Sequence, residues 1–204
     1  MTIDWKQRAR QMERGYNFEQ RYTSLTYKPV GDSFDYLSET KDEQASITEP
    51  LDWVAFKNQY FSCVFMAEKN FENATLDSKM EEKSSGYMKN YHAGMQTAFD
   101  PTGAQPSHFQ FYFGPNHFKT LLASNDLSFK DKDQELEDLV YLGWPIIRLI
   151  NRWFTINLFD WLSGLGLSMG VVILLMTIIV KILVLPTTWK SFISSAKMRA
   201  LKPY

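Results

Sequence analysis

One cation interrupts the most apolar part of this 204-residue chain. Residues 161–180 read WLSGLGLSMGVVILLMTIIV without a single charge, Lys181 follows, and eight more uncharged positions separate it from Lys190. At ~1.5 Å rise per residue such a run crosses the ~30 Å hydrocarbon layer of a bilayer, which predicts a transmembrane helix over 166–189. On that register Lys181 sits only about 4 to 5 Å past the midpoint. An ammonium there costs roughly 2.5–3.5 kcal/mol on a lipid-facing helix. Three arrangements could bear the cost: snorkelling of its four-carbon stem, pairing with a helix outside this chain, or a water-filled groove open to substrate. Pro186, five residues on, removes one intrahelical hydrogen bond, so a kink is expected there, with a freed carbonyl near Ile182 adding a second polar group.

Elsewhere the reactive side chains are sparse. His92, His108 and His117 are separated by 16 and 9 residues with no close carboxylate pattern, which does not make a metal site. No phosphate-binding glycine loop, metalloprotease histidine pair or Gly-x-Ser-x-Gly elbow is present, and GLGLSMG at 164–170 opens a membrane span, where packing or a bend explains its glycines. Cys63 is the only cysteine, so an intrachain disulfide and multi-thiolate metal centres are excluded; within YFSCVFM it reads as an ordinary buried residue. No catalytic residue, metal ligand or cofactor is assigned, and the chain is read as a non-enzyme.

Charge divides the chain. Residues 1–140 carry 15 Lys/Arg against 22 Asp/Glu, whereas 141–204 carry 7 against Asp160 alone. An acidic head has no basic stripe for nucleic acid, and a basic tail suits anionic lipid. Lys190, Lys197, Arg199 and Lys202 crowd the residues after the span, so the positive-inside rule puts the C-terminal end in the cytoplasm and residues 1–165 outside. The opening TIDWKQRARQMERGYNF has no apolar core for a signal peptide, so export of the head requires an upstream signal or helix, and the chain is expected to be part of a longer protein.

The elements that must position these groups follow from local pattern. Residues 1–140 read as mainly β, a sandwich whose short aromatic and β-branched runs alternate with turn residues. Candidate strands are 21–27, 33–37, 53–66, 73–80 and 108–113; in the last, Phe109, Phe111 and Phe113 are expected to bury three rings on one face. A short helix is expected at 116–123, capped by Asn116, with Phe118, Leu121 and Leu122 on one side. The charge-dense DLSFKDKDQELED at 126–138 reads as a solvated connector. From Gly143 to Asp160 the period turns helical: Arg148, Arg152 and Thr155 share one face, and Ile146, Leu149, Ile150, Trp153 and Ile156 the opposite one. Trp144, Trp153 and Trp161 suit a helix lying in the head-group layer, although the same apolar face could pack on the β domain. Gly164, Gly166 and Gly170 supply a flexible corner. The expected organisation is therefore a β domain over 1–140, an amphipathic interfacial helix and corner over 141–165, the span over 166–189, and a basic segment over 190–204.

These residues also carry a family resemblance. MTIIVKILVLPTTWKSFISSAKMRALKP, residues 176–203, resembles the second transmembrane helix and following cytoplasmic segment of the YidC membrane protein insertases, relatives of the Oxa and Alb proteins of organelles. The basic residue five positions before proline and the segment AKMRALKP are its most distinctive pieces. EPLDWVAFKNQYF at 49–61, FYFGPNHFKTL at 111–121 and the amphipathic stretch from Gly143 resemble the periplasmic domain of the Gram-negative type, so the likeness covers essentially the whole chain. The resemblance implies a periplasmic β-supersandwich, an interfacial helix, and a five-helix core around a hydrophilic groove in the bacterial inner membrane. It further implies nascent membrane proteins as substrates, and the Sec translocon and the ribosome as possible partners. The family usually has arginine where Lys181 stands; lysine keeps the charge but loses the bidentate fork. Leu185 also replaces an aromatic residue common before the proline.

Two other functional classes fit parts of the chain. A single-span anchored periplasmic module that binds carbohydrate or protein would use the aromatic-rich sandwich, but has no use for a cation in the membrane. A hydrolase would need a deep cleft with paired carboxylates near His92 or His117.

Overall fold

The computed structural model describes residues 1–129, 132–143 and 145–200. The chain divides into two units, Met1–Tyr141 and the residues from Leu142 onward.

The first unit is a two-layer antiparallel sandwich. One sheet has the order β1-β8-β7-β4, built from β1 (Thr2–Arg10), β4 (Glu43–Ile47), β7 (Asn73–Met80) and β8 (Tyr87–Gln96). The other has the order β3-β2-β5-β6-β9, from β2 (Ser24–Pro29), β3 (Asp35–Tyr36), β5 (Leu51–Lys57), β6 (Phe61–Phe71) and β9 (Phe109–Pro115). Period-2 alternation sets which side chains meet between the layers. In β1, Ile3, Trp5 and Ala9 point inward while Asp4, Lys6 and Arg8 face water. Trp5 stacks on Phe56 at 3.9 Å between ring centroids, and Phe56 stacks on Tyr91 at 5.1 Å, so an aromatic column ties β1, β5 and β8 across the core.

The five-stranded sheet is covered on its outer face as well. There Trp53, Ala55, Val64 and Met66 pack against Leu121 of α2 (Phe118–Leu127) and against Leu136 and Leu139 of a 3-10 turn. Both faces of β5 are thus buried, which is why LDWVAFK has no polar face apart from its ends. A short α1 (Tyr16–Gln20) closes the turn after β1, and its buried Glu19 accepts from Met12 N–H at 2.8 Å and Glu13 N–H at 2.9 Å.

Several expectations need correction. The described residues of 126–138 are not a solvated connector: the turn spacing puts Leu136, with Leu139 just beyond, on one side, both buried, and Trp53 Nε1 donates to Gln134 O at 2.8 Å. Phe109, Phe111 and Phe113 do share a face, but β9 is an edge strand, and burial declines along it: Phe109 packs into the core and Phe111 stacks at its rim on Phe65 at 4.3 Å. Phe111 is 50% and Phe113 67% exposed. Asn116 does not cap α2, whose N-cap is His117. Its amide instead locks the β5–β6 turn, accepting from Ser62 Oγ at 2.6 Å and donating to Asn58 O at 2.7 Å. Leu122 faces out. Cys63 is half-buried, and burial pushes its thiol up.

The second unit is helical: α3 (Pro145–Ile150), a π-helical turn over Asn151–Thr155, α4 (Ile156–Ser163) and α5 (Met169–Ala200). The expected amphipathic helix therefore contains one wide turn, where Asn151 Nδ2 reaches back to Leu142 O at 2.9 Å. The corner before α5 turns on Gly166, whose φ of 72° is left-handed, whereas Gly170 lies inside α5.

Lys89 is the costly group of the sandwich. It is fully buried on β8 and donates from Nζ to Ser38 O at 2.6 Å. Burial pushes its ammonium from the ordinary 10.5 down to about 8, against the pull of Glu39, Glu43 and Asp42. A base with a lowered folded-state value destabilises the fold fully below pH 8, and the cost lifts as pH rises from about 8 towards 10.5. Thermal unfolding of Lys89→Met should therefore lack an alkaline rise in stability that the parent shows over that window. Parallel pH profiles for the two proteins would contradict this assignment.

Candidate functional site

α5 is 32 residues long, ~48 Å at 1.5 Å per residue, and exceeds the ~30 Å hydrocarbon layer by several turns. Met169–Pro186 is long and apolar enough to cross a membrane by length and composition, and only 6% of that window is buried within the chain. Most of its side chains face outward. The helix continues through Pro186 to Ala200, and Pro186 offers no N–H to Ile182 O.

Lys181 lies twelve residues into α5 with an exposed side chain. Among the described residues no carboxylate comes within 4.0 Å of it and no hydrogen bond reaches it. Thr177 and Thr188, four residues before and seven after, fall on the same helical face. Both threonines satisfy their hydroxyls within the helix: Thr177 Oγ1 donates to Ile173 O at 2.8 Å, and Thr188 Oγ1 lies 2.9 Å from Leu185 O and 3.1 Å from Val184 O. Gly170, eleven residues back, falls on that face as well, together with Leu174 and Leu185. The threonines were not singled out from sequence, although their spacing relative to Lys181 was readable there.

The remaining expected residues fall as follows. Trp153 and Trp161 are 71% and 61% exposed in the π turn and α4. Lys190 and Lys197 project from the last turns of α5, which also contain Arg199. Trp144 and Lys202 lie outside the described residues. No sequence-derived site residue belongs to the first unit.

Cavities open on the first unit. One of about 250 Å3 is walled by Phe18, Tyr22, Lys57, Tyr60 and Tyr141. A second of about 450 Å3 is acidic, with Asp32, Asp52, Asp133, Glu135 and Asp138. A third of about 440 Å3 runs beside β9 and the end of α2. Neither His92 nor His117 lines any of the three. His92 pairs with Asp4 at 2.8 Å on an exposed strand face, and His117 with Thr120 at 2.9 Å. Both are exposed surface contacts.

Sandwich, helical segment and membrane-length helix together define the class: a β domain followed in the chain by a helix that carries a charge and is long and apolar enough to cross a membrane. Comparison with known proteins makes this specific. The family profile described as YidC periplasmic domain matches residues 1–159, and the chain belongs to the YidC family. Among curated relatives, a protein of Phocaeicola vulgatus is 69% identical over 204 residues, covering 100% of this chain and 33% of its own length. One from Bacteroides fragilis is 61% identical over 203 residues, covering 100% of this chain and 32% of its own length. A third, from Porphyromonas gingivalis, is 38% identical over 203 residues, covering 98% of this chain and 32% of its own length. All three are named membrane protein insertase YidC. The chain spans about a third of the length of the curated relatives it matches.

The physics of Lys181 alone gives a test. Moved into a reporter that measures partitioning of a single helix into the membrane, α5 with Lys181→Leu should insert more favourably by about 3 kcal/mol. Equal insertion of the two helices would place the ammonium at the interface and not within the hydrocarbon.

Proposed function

We propose that this chain is the part of a membrane protein insertase that joins its periplasmic domain to the first wall of its insertion groove. The supporting observation is that Thr177 and Thr188 share the face of Lys181, beside Leu174 and Leu185, in a helix whose other residues from Met169 to Leu185 are apolar. A lone anchor gains nothing from that arrangement and pays for its charge. A groove helix needs it: water held against a basic face shortens the apolar barrier that a substrate's polar segment must cross. The names of the curated relatives point the same way.

In this reading residues 1–140 are the periplasmic domain, 141–165 an interfacial helix and corner anchored by Trp144, Trp153 and Trp161, 166–189 the span, and 190–204 a cytoplasmic segment. Lys190, Lys197, Arg199 and Lys202 hold the C-terminal end on the cytoplasmic side of the bacterial inner membrane. Nascent membrane proteins are the substrates, with the Sec translocon and the ribosome as further partners. No bond is made or broken; Lys181 attracts an acidic translocated tail, and Pro186, by freeing Ile182 O and kinking the helix, adds a second polar element on the cytoplasmic side. One helix has no interior, so the activity belongs to the whole insertase.

Insertion assays in vesicles reconstituted with the intact protein test this. Lys181→Arg should insert single-span substrates with acidic translocated tails as well as the parent does, and Lys181→Glu should do so poorly. Equal efficiency for all three would remove Lys181 from the mechanism.

A further inference from the structure

Among the described residues of the first unit, Lys28, Lys57, Lys89 and Lys132 are the lysines that are buried or half-buried. Three of them are partnered within the chain. Lys28 pairs with Glu135 and donates to Asp32 O at 2.9 Å, Lys89 donates to Ser38 O at 2.6 Å, and Lys132 pairs with Asp52 at 3.1 Å. Lys57, the last residue of β5, differs: among the described residues no hydrogen bond reaches its Nζ and no carboxylate comes within 4.0 Å. Burial pushes its ammonium below the ordinary value, against the pull of the more distant Glu39. An ammonium withdrawn from water without a partner costs stability, so packing alone does not account for a lysine at this position.

Lys57 lines the cavity of about 250 Å3, and it is the only charged residue among those lining it. Much of the remaining wall is aromatic, drawn from separate stretches of chain: Phe18 of α1, Tyr22 just after it, Tyr60 of the β5–β6 turn, and Tyr141 beyond the 3-10 turn. Phe18 and Tyr22 lie 5.2 Å apart between ring centroids. Tyr60 is held in place by its hydroxyl, which donates to Glu13 Oε1 at 2.7 Å and accepts from Gln59 Nε2 at 3.1 Å. The hydroxyls of Tyr22 and Tyr141 have no partner among the described residues and add donors to the ammonium. One positive charge, phenol donors and ring surface suit a single negative charge on a flat apolar body. Phosphate recognition draws instead on an arginine fork or a set of backbone N–H groups, and no arginine lines this cavity. We propose that the cavity binds small carboxylates that carry an aromatic ring, with Lys57 as the countercharge and the ring lodged among Phe18, Tyr22 and Tyr141. A free aromatic acid and the C-terminal end of a polypeptide that finishes in an aromatic residue both present this chemistry. The site lies within the first unit and does not depend on the role of Lys181.

Isothermal titration calorimetry on the full-length protein in detergent tests this with phenylacetate and with the tripeptide Gly-Gly-Phe. The parent should bind at least one of them saturably. Lys57→Met should weaken that binding about tenfold or more, and Lys57→Arg, which keeps the charge, should weaken it less. Because Lys57→Met removes an unpaired half-buried charge, its unfolding temperature should equal or exceed the parent's, which separates lost binding from lost folding. Phenylacetamide, which lacks the charge, should bind the parent as poorly as phenylacetate binds Lys57→Met. Binding of phenylacetate alone supports free acids as the source of the ligand, and binding of the tripeptide supports chain ends. The proposal is overturned if neither probe binds the parent saturably, if the parent and Lys57→Met bind equally, or if phenyl phosphate binds more tightly than phenylacetate.

Discussion

An ammonium group within a membrane-length apolar helix has to be hydrated, paired or brought to the surface, and that requirement governs the second unit of this protein. α5 offers Lys181 neither a carboxylate nor a hydrogen bond among the described residues, and Gly170, Thr177 and Thr188 share its face with Leu174 and Leu185. Both threonines give their hydroxyl protons to carbonyls of their own helix, which keeps them inexpensive in lipid while leaving lone pairs for water. Pro186 lies one turn beyond the lysine and withholds an N–H from Ile182 O. Polar capacity is thus concentrated on and near one side of a rod that is otherwise made for hydrocarbon.

The first unit solves a different problem with ordinary means. Its core is an aromatic stack between two antiparallel sheets, with a second apolar layer under α2 and the turn at Leu136–Leu139. None of the three cavities described on it is lined by His92, His108 or His117. The insertase reading needs no hydrolytic chemistry, because insertion moves a chain between solvents and leaves its bonds alone.

How much was legible beforehand depended on whether local pattern or tertiary pairing decided each element. The strand at Asn73–Met80 and the long apolar helix are written in composition alone, and both are found. β1 and β8 were missed because TIDWKQRAR and YMKNYHAGMQ dilute their alternation with charge and glycine; what makes them strands is nine residue pairs of mutual register. The stretch at 126–138 reads as solvated because charges outnumber leucines, but a 3-10 turn needs only two apolar residues three apart to bury one side. Phe111 and Phe113 alternate correctly, yet exposure is set by the opposing sheet, which a strand's own sequence does not record. For the site, Lys181 was conspicuous as a charge out of place, whereas Thr177 and Thr188 are common in helices and gain meaning only from sharing its face.

The central claim is that the positive charge at position 181 meets the translocated part of a substrate. A charge exchange measures this most directly: intact insertase carrying Lys181→Glu is assayed with a single-span substrate whose acidic tail has been made basic. The account predicts that the exchanged pair regains insertion that the singly reversed insertase loses with the acidic tail. Failure of the basic tail to restore any insertion, with the variant folded and in the membrane, would contradict it.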